Sequence, residues 1–185
     1  EKSEKEILWD KTSKEVDEIG DKLGLGIDEG IKDAVVAFQV NGLPTSSSCE
    51  GHIDRVLPIP YINVSAPNKP EERFIDQNKT FAKVAKKYNL TIEEIKGGLF
   101  NAEEPYWEAF RECSKNGETE EYKKWDEENK KLKIKTQKFL EEFYKDRKVD
   151  PIVQLKVDEM VGGFRIHNGG EDYQPIIEER EFSDE

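Results

Sequence analysis

Apolar positions recur at helical spacing through the first forty residues and again from about 66 to 150. The stretches between and after those blocks alternate as strands do. Residues 3–23 read as a charged helix with Ile7, Leu8, Val16, Ile19 and Leu23 as contacts, broken by Gly24-Leu25-Gly26. Asp28 is placed to cap a second helix, whose Ile27, Ile31, Val35 and Phe38 share one face. Asn41-Gly42 suits its end. The proline and the Ser/Thr run of Leu43-Pro44-Thr45-Ser46-Ser47-Ser48-Cys49 favour extended chain. Pro60-Tyr61-Ile62-Asn63-Val64-Ser65 alternates like a half-buried strand.

The block 66–150 predicts helices only. Phe81, Val84, Ala85 and Tyr88 form a short stripe, and Thr91 with Glu94 makes a capping box ahead of Ile95. A further short helix spans Glu104 to Cys113, around Tyr106, Trp107 and Phe110. The longest helix is expected from about Glu118 to Arg147. Its stripe of Tyr122, Trp125, Leu132, Phe139 and Phe143 has three-four spacing, with Asn129 and Thr136 as polar interruptions. After Pro151, the residues Ile152, Val153, Leu155, Val157 and Met160 read as a strand. Gly162-Gly163 reads as a turn, and Phe164-Arg165-Ile166-His167 as the returning strand.

These elements predict an α+β fold. A small, mostly antiparallel sheet is covered by the N-terminal helices, with a long helical insertion (about 66–150) between strands two and three. Residues 1–170 would form one domain, followed by an acidic tail over 171–185.

Charge changes this picture only locally. The chain of 185 residues has a net charge of −12, and Glu171 to Glu185 holds seven acids against Arg180, so half of that charge lies in the tail. The one basic stretch is Lys130, Lys131, Lys133, Lys135 and Lys138, which reads as a solvated helix face. Duplex DNA is therefore an unsuitable partner, since binding it needs a basic surface to displace counterions. The helix-turn-helix texture of Phe81 to Ile95 does not alter this, because Glu93 and Glu94 stand where a reading helix needs bases or amides. No apolar run approaches the roughly 18 residues of a membrane span. Cys49 and Cys113 are too few for a disulfide scaffold, and no secretory leader pattern is visible, so a cytoplasmic location is expected.

Reactive groups concentrate in Cys49-Glu50-Gly51-His52. Cys-x-x-His is half of a zinc spacing, and His167 is a further candidate ligand. The pair Cys49 and His52 also suits a nucleophile with its base. Alternatively, Ser46, Ser47, Ser48 and the Gly51 amide could line an anion pocket at the strand end. A buried thiol beside an ordinary turn is the structural alternative. Arg165 and His167, two apart on a strand, share a face and suit a phosphate or carboxylate. Asp54 and Arg55 read as a local turn pair. The expectation is a domain for a small anionic or nucleotide-like ligand, with Cys49 and His52 as its catalytic candidates. The competing expectation is an interaction protein that forms homo-oligomers through the long helix.

The segment Thr45-Ser46-Ser47-Ser48-Cys49-Glu50-Gly51-His52, following a helix and preceding Pro60-Tyr61-Ile62, is similar to uncharacterised bacterial and phage proteins carrying Thr-x-x-Ser-Cys-x-Gly-His. More distantly it resembles the wybutosine-pathway tRNA methyltransferases, which carry Thr-Ser-Ser-Cys-Ser-Gly-Arg in the same setting and a late Gly-Phe-Arg. The matching positions are Ser47, Cys49 and Gly51, then Gly163, Phe164 and Arg165. That resemblance implies a nucleotide- or RNA-related transferase using S-adenosylmethionine, with Arg165 holding an anionic group and His52 moving a proton. His52 stands where that family has arginine, and Glu50 where it has serine, which changes charge, reach and fork geometry.

Overall fold

The computed structural model describes residues 2–20, 24–51, 59–97 and 104–169. His52, Asp54, Arg55 and the acidic tail lie outside them. Among the described residues the fold is α+β, with six helices and a four-stranded antiparallel sheet. The chain forms two compact units, one from 1–66 and 129–185, the other from 67–128. The helical block expected over 66–150 is thus divided between them.

In the first unit, helix α1 (Glu4–Asp17) opens with a Ser3/Glu6 capping box, in which Ser3 Oγ accepts from the Glu6 amide and Glu6 accepts from the Ser3 amide. Helix α2 (Glu29–Val40) follows. Strands β1 (Thr45–Cys49) and β2 (Tyr61–Val64) come next in this unit, and β3 (Lys156–Met160) and β4 (Gly163–His167) close it. The strand order is β1-β2-β4-β3. Ile62 and Val64 of β2, and Phe164 and Ile166 of β4, pair across the ladder and bury one sheet face against Ile31, Val35, Val36 and Phe38 of α2. Val16 of α1 and Leu43 complete that core.

The strand expected from Ile152 begins four residues later. Asp150 accepts a hydrogen bond from the Ile152 amide, and Pro151 occupies the first turn of a short 3-10 helix over Pro151–Val153. A capped turn with proline at its start cannot also be a ladder strand. The β3–β4 connection is Val161-Gly162 rather than Gly162-Gly163, with Gly162 at φ +80° in the third turn position.

The second unit packs α3 (Gln77–Tyr88), α4 (Ile92–Gly97) and α5 (Glu104–Ser114) around Phe74, Phe81, Val84, Ile95, Ala109 and Cys113. The Thr91/Glu94 capping box forms as expected. Asn89 ends α3 in the left-handed conformation. Burial pushes the Cys113 thiol up, and it behaves as a small core hydrophobe. Both cysteines are free thiols.

Helix α6 (Glu120–Tyr144) starts in the second unit and belongs to the first from residue 129. Its buried positions are Tyr122, Trp125, Asn129, Thr136 and Leu140, whereas Phe139 and Phe143 are exposed. A strict 3.5-residue stripe drifts around a straight helix of 3.6 residues per turn. After about five turns the inward position has moved from Phe139 to Leu140. The two polar interruptions are internal anchors. Asn129 Oδ1 accepts from the Ala66 amide at 2.7 Å, and Thr136 Oγ1 donates to the Leu132 carbonyl at 2.9 Å. Among the described residues, no helix is long and apolar enough to cross a membrane.

Candidate functional site

Side chains alternate across a strand, so the residues opposite the core face of β2 and β4 are Tyr61, Asn63, Arg165 and His167. A bulge in β1 between Thr45 and Ser47 absorbs one residue, which brings Ser47 opposite Asn63 and Cys49 opposite Tyr61. Two polar rows therefore cross the second sheet face. One runs Ser47, Asn63, Arg165, Asp158, and the other Cys49, Tyr61, His167, Lys156. Without the bulge, Ser46 would face Asn63 and Ser47 would lie on the core side. In the folded chain Ser48, paired with Ile62, takes that side, while Ser46 Oγ donates only a long bond to the Asn63 carbonyl at 3.4 Å.

Asn63 joins Ser47 to Arg165. Its Nδ2 donates to Ser47 Oγ at 2.8 Å, and its Oδ1 accepts from Arg165 Nε at 2.9 Å. The Arg165 guanidinium also lies 3.9 Å from the Tyr61 ring centroid, a cation–π stack. Arg165 is only 7% exposed. A guanidinium carries five N–H donors. Among the described residues only the Nε donor has an acceptor, and no carboxylate lies within ion-pair distance of it. Asp158, its cross-strand neighbour, bonds His167 instead.

His167 is 2% exposed. Its Nδ1 accepts from the Gly169 amide at 2.9 Å, so the ring proton is on Nε2, which donates to Asp158 Oδ2 at 3.0 Å. Burial lowers its pKa below the ordinary 6.5, outweighing the opposing pull of Asp158, while Lys156 and Arg165 push it further down. Protonating Nδ1 would also set two donors against each other at Gly169. Both nitrogens being engaged, His167 holds the end of β4 to β3.

A pH dependence of stability follows. The unfolded chain takes up a proton on this imidazole at a higher pH than the folded one, so stability rises with pH through that interval. The contribution is complete above about pH 6.5 and is lost as pH falls below it, at about 1.4 kcal/mol per unit of pKa difference. Urea midpoints measured at pH 7.5, 6.5 and 5.5 are expected to fall with acidification, and His167→Gln to flatten that fall. Parallel curves for the two proteins would show that His167 does not couple folding to pH.

The Cys49-Glu50-Gly51 turn is tied to α2. Asp28 makes no side-chain bond to its own helix. Its Oδ2 accepts from the Glu50 amide at 3.1 Å, and Glu50 Oε2 in return accepts from the Gly30 amide at 2.8 Å. The acid expected to cap α2 thus caps the strand end, and the acid at the strand end caps α2. Gly30 permits this approach, since a Cβ there would lie 2.6 Å from Glu50 Oε2. Cys49 Sγ accepts from the Gly51 amide at 3.4 Å, with Gly51 at φ +87°. Cys49 and His167 share a row but stand two strands apart, so their backbones are about 10 Å apart. Among the described residues, no group of three or more His, Cys, Asp or Glu side chains forms a metal site.

Beside β1 runs a cleft of about 450 Å³, walled by Thr45 to Cys49 and Tyr61 on the sheet and by residues 19, 20 and 25–28 opposite. Ser47 and Tyr61 belong both to this wall and to the surroundings of Arg165. Of the sequence-derived candidates, the fold brings together Ser46, Ser47, Ser48 and Cys49 along the cleft, with Arg165 two strands in from β1. His52 lies outside the described residues, and His167 is committed to Asp158 and Gly169. Sequence reasoning missed Tyr61, Asn63 and Asp158. A signal for the first two was present, because they alternate with the apolar Ile62 and Val64 and so had to occupy the second face. No family model, curated protein or solved structure matches this chain.

Proposed function

We propose that the sheet-bearing unit is a binding domain for a small anionic ligand, whose phosphate or carboxylate is received by Arg165. One observation carries the reading. Arg165 is 93% removed from water, by its 7% exposure, yet only one of its donors has an acceptor among the described residues. Its Nη nitrogens are not among the fully buried, partnerless side-chain atoms, which among the described residues are Asn168 Oδ1 alone, so the fork keeps contact with solvent and with any anion that reaches it. The free Nη pair is a planar fork suited to bidentate oxyanions. Asn63 and the Tyr61 ring hold that fork in orientation before any ligand arrives.

The test is an NMR titration with inorganic phosphate, following the Arg165 Nε–H and Tyr61 ring signals. Saturable shifts are expected in the native protein and none in Arg165→Gln. Without phosphate, Arg165→Gln is expected to change the melting temperature little, since the fork it removes has no protein acceptor among the described residues. A response that survives Arg165→Gln, or its absence in the native protein, would defeat the reading. The transferase expectation drawn from the wybutosine-pathway resemblance would place S-adenosylmethionine and a second substrate on this same face, with Cys49 beside them.

A second reading, self-association through α6, is supported by the exposure of Phe139 and Phe143. A solution mass that rises with concentration in the native protein but not in Phe139→Asp would favour it.

A further inference from the structure

We infer that the acidic segment after β4 is an internal competitor for the Arg165 site, its first carboxylates, Glu171 and Asp172, taking the place of the ligand's anion. This rests on the anion reading of Arg165 and adds how access to that site is regulated. The second sheet face is positive, in a chain whose net charge is −12. Its two rows across the ladder carry Arg165 and Lys156 against Asp158, and Asp158 is engaged by His167. The sequence that follows supplies the opposite charge, since Glu171 to Glu185 holds seven acids against Arg180. Charge complementarity of this kind selects what meets the face.

The end of β4 aims the chain at this face. The Gly169 amide donates to His167 Nδ1 at 2.9 Å, and the His167 ring stands on the second face, so the backbone turns onto the side that carries Arg165. Gly169 makes that turn at φ +80°. The Lys156 ammonium is beside it, since a Cβ added at Gly169 would lie 2.8 Å from Lys156 Nζ. Arg165 is two residues back along β4 from His167, about 7 Å. Glu171 is the second residue beyond Gly169, and two residues with a glutamate side chain are long enough to cover that distance. A carboxylate tethered so closely acts at a millimolar effective concentration or above, so a contact that is weak between separate molecules holds the fork for most of the time. If it does so nine times in ten, the apparent Kd of an external anion rises about tenfold.

Calorimetric titration of the full chain with inorganic phosphate tests this in three proteins. They are the native protein, the double variant Glu171→Gln/Asp172→Asn, and the double variant Asp184→Asn/Glu185→Gln, which removes the same charge from the far end of the segment. Phosphate is expected to bind the first variant about tenfold tighter than the native protein, and the second within about twofold of it. Without phosphate, the Arg165 Nε–H signal is expected to move in the first variant and to stay in the second, since only the first empties the fork. Equal tightening in both variants would show a long-range charge effect, and tightening in neither would show that these acids do not reach Arg165. Either result overturns the inference while the Arg165 anion site stands. Phosphate that fails to bind the native protein defeats the anion reading, and this inference with it.

Discussion

Gly163→Ala is expected to destabilise the sheet unit by about 3–5 kcal/mol, combining overpacking with backbone strain. Gly163 begins β4 at φ +157°, one residue before Phe164 pairs with Val64 of β2. A Cβ added there would penetrate the Val64 carbonyl oxygen, and would lie 3.2 Å from Ser65 Cβ. The obstructing atoms are backbone and a Cβ, so no rotamer change can relieve the clash. The strand would have to move, and Phe164, Arg165, Ile166 and His167 would move with it. Urea unfolding followed by far-UV circular dichroism checks this, with Gly97→Ala as comparison. At Gly97, in α4, an added Cβ meets nothing within 4 Å, and alanine is the better helix former there. Equal midpoints for the two variants would mean that β4 can shift without cost, contrary to the packing described.

Phe164→Ala should cost about 3–5 kcal/mol by a different route. Phe164 is among the largest fully buried side chains and lies at the centre of the first unit's core, in line with Val64 on one side and Glu159 on the other. Truncation removes apolar burial and leaves a cavity that the sheet, pinned by ladders on both sides, cannot collapse to fill. The consequence for function is specific. Phe164 and Arg165 are neighbours on opposite faces of one strand, so loosening the core face releases the guanidinium from its stack on Tyr61. Phosphate binding should weaken in this variant even under conditions where most of it remains folded. An unfolding free energy within about 1 kcal/mol of native would show that the site lacks the close packing seen around Phe164.

The candidate site illustrates what could be read ahead of the fold. That Arg165 and His167 share a face followed from alternation alone, and the sheet places them so. They do not meet the Ser46–Ser48 strand directly, because β2 lies between β1 and β4 and Asn63 carries the connection. The identity of the serine that joins the network depended on a one-residue bulge, which a run of three serines cannot announce. Asp28 and Glu50 were both legible as turn acids near helix and strand ends. Their exchange of capping partners required the chain to return 22 residues later to the same corner. In α6, apolar spacing singled out Phe139 and Phe143, while the accumulated turn of a straight helix selected Leu140, with Asn129 and Thr136 buried on the stripe itself.

The sequence by itself determined the kinds of element, their approximate positions, the α+β class and the polar face of β2 and β4. These depend on residues two to four positions apart, whose geometry is set by the backbone repeat. The tertiary structure alone decided strand order, the register after the bulge, and the burial of Arg165 with most of its donors unmatched. Arg165 and Asn63 are 102 residues apart in the chain. Contacts at that separation form only when the whole sheet closes, so their partners are chosen by packing and by the competition for each donor and acceptor, not by local pattern.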